Sequence, residues 1–344
     1  MPSDRVSLRA LIRLAALFVA ASFIFVSINV FTQHAPVAHG LRVAYVGSPV
    51  AQVFIQKGLD SAAPGAFSLK SYPTAASARS AVLGRSVYGA FIVRGKSARL
   101  LTASAAGTGA QQAVLHAFTM MATMAPPSMR VKLVSEDLKP LPPNDSRGLS
   151  SSAYLFGLLI ISFVFSILLF FVGRGASLAQ RLLAIGLFAL GSALVAALTV
   201  GPLIGALAGH FWALVAIGAL FSAAIALTTY GLEALFGLAG TGIAAFVLIL
   251  VGNSTAGGAS SPEFLPDVFR QLAGVLPNGA AVNFVRNTVY FGGNNTAGAL
   301  LVIALWALGG LALVLATALV PALHLARASA LDLRAAREDP ELGA

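Results

Sequence analysis

Cysteine is absent from this 344-residue chain, which excludes disulfides, thiolate metal sites and thiol catalysis and leaves the redox compartment unread. Charge is scarce as well. Only 10% of residues are Asp, Glu, Lys or Arg, against roughly 25% in a typical soluble domain, so most of the chain cannot face water. The formal net charge of +10 is dispersed, with no dense basic run of the kind that contacts nucleic acid, and no nucleic-acid partner is expected. The five histidines (His34, His39, His116, His210 and His324) show no metal-ligand spacing. No Gly-x-Ser-x-Gly elbow occurs, and the adjacent acids Glu136 and Asp137 fall on opposite faces if they lie on a strand. Gly95-Lys96-Ser97 resembles the end of a P-loop. However, five residues separate Gly89 from Gly95, one more than the phosphate-wrapping motif has, and a strand-end turn is the better reading.

What the chain has in quantity is hydrophobicity, 58% of residues, with a mean hydropathy of +0.86. A bilayer core of about 30 Å needs about 20 apolar residues in a helix, and six segments approach that length: 14–31, 152–172, 182–203, 211–230, 234–252 and 299–323. The expected fold is a membrane α-helical protein with six transmembrane helices in a 1+5 layout. The first segment has Arg5, Arg9 and Arg13 ahead of it, as a signal peptide does. Its apolar core is longer than an h-region of about 7–15 residues and lacks a small-x-small exit, so a retained anchor is expected.

Short loops orient the spans through their Lys and Arg content. Arg5, Arg9 and Arg13, then Arg174 and Arg181, then Arg327, Arg334 and Arg337 all fall on one side of a six-span arrangement. Both termini are therefore expected in the cytoplasm of a multi-pass plasma (inner) membrane protein, with residues 32–150 extracytoplasmic. The expected division is a cytoplasmic N-terminus at 1–13, a first span at 14–31 and an extracytoplasmic α/β domain at 32–150. A five-helix membrane domain at 151–323 and a cytoplasmic tail at 324–344 follow.

Within the α/β domain, strand patterns occur at 41–46, 67–72, 87–93, 99–103 and 130–134. Helix patterns occur at 48–61, 74–83 and near 110–124, and Thr74 is a suitable N-cap. The third strand is apolar throughout and should be buried on both faces. A proline-rich linker at 139–144 leads into the second span. No ionisable residue falls in a span core, since Glu233 is expected at a tight cytoplasmic turn between the fourth and fifth spans. That argues against proton-coupled transport.

The loop at 253–298 carries two short half-apolar helices. Phe264, Leu265, Val268, Phe269 and Leu272 lie on one stripe, Val282, Val285 and Val289 on another, and the Leu276-Pro277-Asn278-Gly279 turn lies between them. Each is too short to span, so a hairpin at 262–291 dipping into the outer leaflet is expected, its backbone buried against protein or lining a wet cavity. A surface hairpin without function is the alternative.

Three stretches stand out beside this layout: Tyr88-Gly89-Ala90-Phe91-Ile92-Val93 in the domain and, in the last outer loop, Leu276-Pro277-Asn278-Gly279-Ala280 and Tyr290-Phe291-Gly292-Gly293, with Arg286 between the last two. With these residues the layout resembles the permeases of ABC-2 type exporters, in the branch related to the phage-infection (Pip)-like membrane proteins. The resemblance covers nearly the whole chain, and the topology carries it more than any motif.

The resemblance implies an exporter of an amphiphilic or lipid-like compound, built as a homodimer or paired permease in the lipid bilayer. A separate ABC ATPase subunit would hold the ATP, and no cofactor would sit on this chain. It makes 262–291 the re-entrant pair before the last span and Pro277, Gly279, Arg286 and Tyr290 candidates for transport or gating. Residues 3–13 would form an inner-surface helix. Arg174 and Arg181 in the loop 173–181, with Glu233, would contact the ATPase; that loop is very short and holds no acid, unlike a well-developed docking element. No enzymatic motif of the chain's own is found. The competing expectation is a non-transporting cell-surface protein (a receptor, adhesion or secretion accessory) acting through its extracytoplasmic domain.

Overall fold

The computed structural model describes residues 8–33, 38–125, 127, 131–258 and 261–338. The protein is mostly helical, with one small α/β sheet domain. Among the described residues, four helical segments are long and apolar enough to cross a bilayer: Ser150–Gly175, Leu178–Leu203, Phe211–Phe236 and Ala297–Thr317. They mark a membrane-embedded protein. The chain divides into two compact units, Met1–Ala153 with Leu248–Thr296, and Tyr154–Val247 with Ala297–Ala344.

The first unit contains α1 (Leu8–Gln33), which covers the first expected span. The expected inner-surface helix at 3–13 lies in part outside the described residues. The sheet follows, with β1 (Leu41–Val46), β2 (Phe67–Ser71), β3 (Gly89–Arg94), β4 (Ser97–Thr102) and β5 (Lys132–Asp137) in the order β2-β1-β3-β4-β5. Among the described residues only β3 and β4 are antiparallel neighbours, and Arg94 pairs with Ser97 to close the hairpin. Gly95, at φ 59°, therefore sits in a tight two-residue turn where a left-handed backbone is needed. The Gly-Lys-Ser segment is that turn.

The crossover helices are α2 (Pro49–Ala62), α3 (Ala75–Leu83) and α4 (Thr108–Met124). Parallel connections are right-handed, and β1-to-β2 runs opposite to β2-to-β3, so α2 and α3 must cover opposite faces. The strand β4 is reversed and steps outward to β5, which returns α4 to the α2 face. The cores agree. Leu59, Val114 and Phe118 pack with Val43, Phe91 and Leu100 on one face, while Ala78, Ala81 and Val82 pack with Ala44, Ala90 and Ile92 on the other. Central β3 is buried on both faces over its first four residues, as its apolar sequence requires. Serine and threonine set the helix starts. Ser48 caps α2 through the Ala51 N–H, and Thr74 and Ser77 form a reciprocal capping box on α3.

The hairpin also belongs to this unit, whereas the sequence pattern assigns it to the membrane domain. It consists of α10 (Asp267–Val275) and α11 (Pro277–Phe291). Pro277 and Asn278 are not loop residues, as the Pro-Asn-Gly pattern suggested. Pro277 opens α11 at its first position, where the fixed φ suits a helix and the missing N–H has no partner to lose. The turn shrinks to Leu276.

The second unit holds most of α5 (Ser150–Val172), then α6 (Leu178–Leu198) with a π-helical end at Thr199–Leu203, α7 (Phe211–Phe236), α8 (Leu238–Ala244) and α12 (Ala297–Glu338). Gly205 and Gly209 take positive φ in the tight connection between α6 and α7. Against expectation, α7 does not stop near Tyr230. It runs on to Phe236 and breaks at Gly237, φ 59°. The next apolar helical stretch, Leu238–Ser254, which begins with α8 and ends in α9 (Gly252–Ser254), is shorter than the four spanning segments. Small residues bring α7 and α12 together, and a Cβ on Gly310 would lie 2.5 Å from the Thr228 nitrogen.

Candidate functional site

The residues singled out in the loop before α12 converge with groups from the sheet domain. Arg286, in the middle of α11, is 4% exposed. Its guanidinium donates to three backbone carbonyls, Gly258 at 3.1 Å and Gly257 and Gly148 at 3.4 Å each. Gly148 belongs to the linker before α5, and Gly257 and Gly258 to the segment before α10. One side chain thus ties α11 to two separate stretches of the chain, a task that suits the five N–H donors of arginine. No carboxylate pairs with it within ion-pair distance among the described residues. Burial, then repulsion from Arg85, pulls the guanidinium down to about 10, which still leaves it charged at neutral pH.

Tyr290, one helical turn further on, donates to Asp145 Oδ2 at 2.6 Å. The other oxygen, Asp145 Oδ1, accepts from the Ser150 N–H and hydroxyl at 3.0 and 2.7 Å. Asp145 is 5% exposed and joins the hairpin to the first turn of α5, where a carboxylate also favours the helix N-terminus. Burial, and then Asp145, push the Tyr290 phenol above its ordinary value.

Arg85 lies beside this pair. It holds a left-handed conformation, φ 56°, donates to Asn287 Oδ1 at 2.5 Å and Asn283 Oδ1 at 3.4 Å, and stands over the Phe291 ring. Asn287 in turn donates to the Asn295 carbonyl, and Asn295 to the Gly84 carbonyl. On the other side, Tyr88 donates to Glu263 Oε2 at 2.5 Å, and the His39 N–H donates to the Glu263 carbonyl. Burial, and then Glu263, raise the Tyr88 phenol. The arrangement is a polar strap in which α11 and the Pro262–Phe264 turn ahead of α10 cannot leave the sheet domain without breaking several bonds.

Pro277 and Gly279 sit apart from the strap, at the hairpin apex. A Cβ on Gly279 would lie 2.5 Å from the Ala273 carbonyl, so glycine lets α11 start directly against the end of α10. Next to it, Asn278 donates to the Leu248 carbonyl.

The three proposed ATPase-contact residues divide. Arg181 donates to the carbonyls of Gly173 and Arg174, both at 3.1 Å, closing the exposed C-terminal turn of α5, and Arg174 stands over Phe171. Glu233 is elsewhere. It is fully buried within α7 and accepts from Thr241 at 3.0 Å and Ser166 at 3.3 Å, instead of lying at a turn. The break at Gly237 and the close approach of Gly240, whose Cβ would meet the Leu232 carbonyl at 2.0 Å, fold α8 back so that Thr241 reaches the carboxylate.

The sequence pattern selected Arg286 and Tyr290 but not Arg85, Asp145, Glu263 or Asn287. A weak signal existed for two of them. Asp145 is one of few acids in its domain, and Glu263 follows the Ser261-Pro262 pair that begins a helical turn. No protein-family model, curated protein or solved structure matches the chain.

Proposed function

We propose that this chain is the membrane subunit of an ATP-driven exporter of the ABC-2 type, working with a separate ATPase and moving an amphiphilic or lipid-like compound. The observation that carries the reading is the helical hairpin α10–α11, placed immediately before the last span and strapped to the α/β domain and its linker through the Arg85–Asn287 and Tyr290–Asp145 bonds.

That strap supports the 1+5 topology by parity. The hairpin must lie on the same side as the α/β domain. The helices α5, α6 and α7 cross three times and leave the chain on the far side, so Leu238–Ser254 has to return it. Its roughly 25 Å of helix is a few ångströms short of a bilayer core of about 30 Å, a mismatch that local thinning accommodates. With α1 as the remaining span, both termini face the cytoplasm, in agreement with the arginine asymmetry.

Glu233 does not convert the protein into a proton-coupled carrier. The 26 residues of α7 make about 39 Å of helix, about 9 Å longer than the core. Glu233 is three residues from its end, about 4.5 Å along the axis, which puts it near the edge of the hydrocarbon and away from mid-depth. Energy from a partner ATPase fits that position better. Co-purification is the test. The protein extracted from its own membranes should retain an ATPase, and vesicles holding both should accumulate an amphiphile with ATP. If no ATPase is retained and overexpression alters no compound's export, the reading fails.

A further inference from the structure

The α3 face of the sheet is only partly covered. Helix α3 and the end of α11, through Phe291, pack on it, and the open part over β3, β4 and β5 forms a cleft of about 210 Å³. That is several times the roughly 30 Å³ share of one water and smaller than a drug-sized pocket of about 300 Å³ or more; it is the size of a headgroup.

Strand alternation decides what the cleft presents. Residues paired in register share a face. Ile92 pairs with Arg99, Arg94 with Ser97, Ala90 with Leu101, and Leu101 with Glu136. The apolar Ile92 and Leu101 form its floor, and Arg94, Arg99 and Glu136 rise around them with Arg79 from α3. Arg79 and Glu136 neutralise one another at 2.9 Å. Among the described residues no carboxylate pairs with Arg94 or Arg99, and Lys132, beside Ser97 in register, adds a third cation on this face. Ala75 and Ala76 of the first turn of α3 also line the cleft, adding the positive end of that helix.

We propose that this cleft binds a phosphate group carried on a small apolar stem. Two unpaired guanidiniums match a phosphomonoester charge of about −1.5 to −2, their planar forks suit its oxygens, and the Ile92–Leu101 floor takes the first carbons. The site is independent of the exporter reading and of the Arg286 strap.

Calorimetry on the full-length protein in a detergent with an uncharged headgroup tests it, at about 0.15 M ionic strength to screen long-range attraction. The probes are dihexanoyl phosphatidic acid, dihexanoyl glycerol and inorganic phosphate. The phosphatidic acid should bind and the neutral glyceride should not. The Arg94→Gln/Arg99→Gln double variant should bind at least about tenfold more weakly, through the loss of two charge-assisted contacts. Lys57→Gln, on the opposite face, should bind as wild type. Inorganic phosphate binding as tightly as the lipid, with the same arginine dependence, upholds the phosphate site and identifies its source as the free anion. Binding of neither phosphate probe overturns the proposal. So does equal binding of the glyceride, an unchanged affinity in the double variant, or an equal loss in Lys57→Gln.

Discussion

The Tyr290 hydroxyl donates to Asp145 at 2.6 Å, and the same carboxylate accepts from Ser150 at the start of α5. One buried acid therefore couples the α10–α11 hairpin to the start of α5. Removing the hydroxyl in Tyr290→Phe should cost about 1.5–3 kcal/mol, the range for a hydrogen bond to a charged group. Thermal unfolding of the purified protein measures it, and hydrogen exchange should localise the loosening to α11. Unchanged exchange there would remove the coupling.

The raised phenols of Tyr88 and Tyr290 have a consequence at high pH. Both groups hold their protons more tightly folded than unfolded. Their contribution to stability is full below the unfolded value of about 10 and is lost as pH rises through the higher folded values. Phenolate absorbance of the native protein should lag behind that of the unfolded chain above about pH 10, and the Tyr88→Phe/Tyr290→Phe pair should reduce the lag.

Arg286→Ala leaves the carbonyls of Gly148, Gly257 and Gly258 without their shared donor. A loss of at least about 1.5–3 kcal/mol is expected, with insertion into the membrane intact and export impaired. Arg286→Lys should not restore export, because one ammonium cannot match the guanidinium fork. Pro277→Ala is a milder change, about 0.4–1 kcal/mol through the freed unfolded chain, and should impair export more than that figure alone suggests. Wild-type export in both Pro277→Ala and Arg286→Ala would return the hairpin to a purely structural role.

Gly240 and Gly242 lie two residues apart and make opposite predictions. A Cβ on Gly240 would meet the Leu232 carbonyl at 2.0 Å, while one on Gly242 meets nothing within 4 Å. Gly240→Ala should destabilise by about 1–3 kcal/mol through overpacking and pull Thr241 off Glu233. Gly242→Ala should be neutral or stabilise by up to about 1 kcal/mol, the helix preference of alanine over glycine. Circular-dichroism melts of the two variants side by side check the pair.

Much of the architecture was legible because it is local. Long apolar runs mark helices wherever the chain cannot face water, the alternation around residues 41–102 marks strands, and Thr74 announces the start of α3. Even the Gly95 turn followed from spacing. Glu233 shows the limit. The residues Tyr230 to Glu233 carry polar atoms in an apolar run and read as a loop, yet α7 continues through them because Ser166 and Thr241, far away or beyond a break in sequence, satisfy the carboxylate.

The sequence by itself determined that this protein lives in a membrane, carries one α/β domain between hydrophobic segments and has a paired-helix loop before its last one, since hydropathy and periodicity act over a few turns of chain. Only the tertiary structure decided that the paired helices belong with the α/β domain, that Arg286 ties α11 to two other stretches of backbone and that Tyr290 meets Asp145. The Arg286–Gly148 and Tyr290–Asp145 contacts join residues more than a hundred positions apart, and the burial that makes them strong comes from neighbours that no local pattern names.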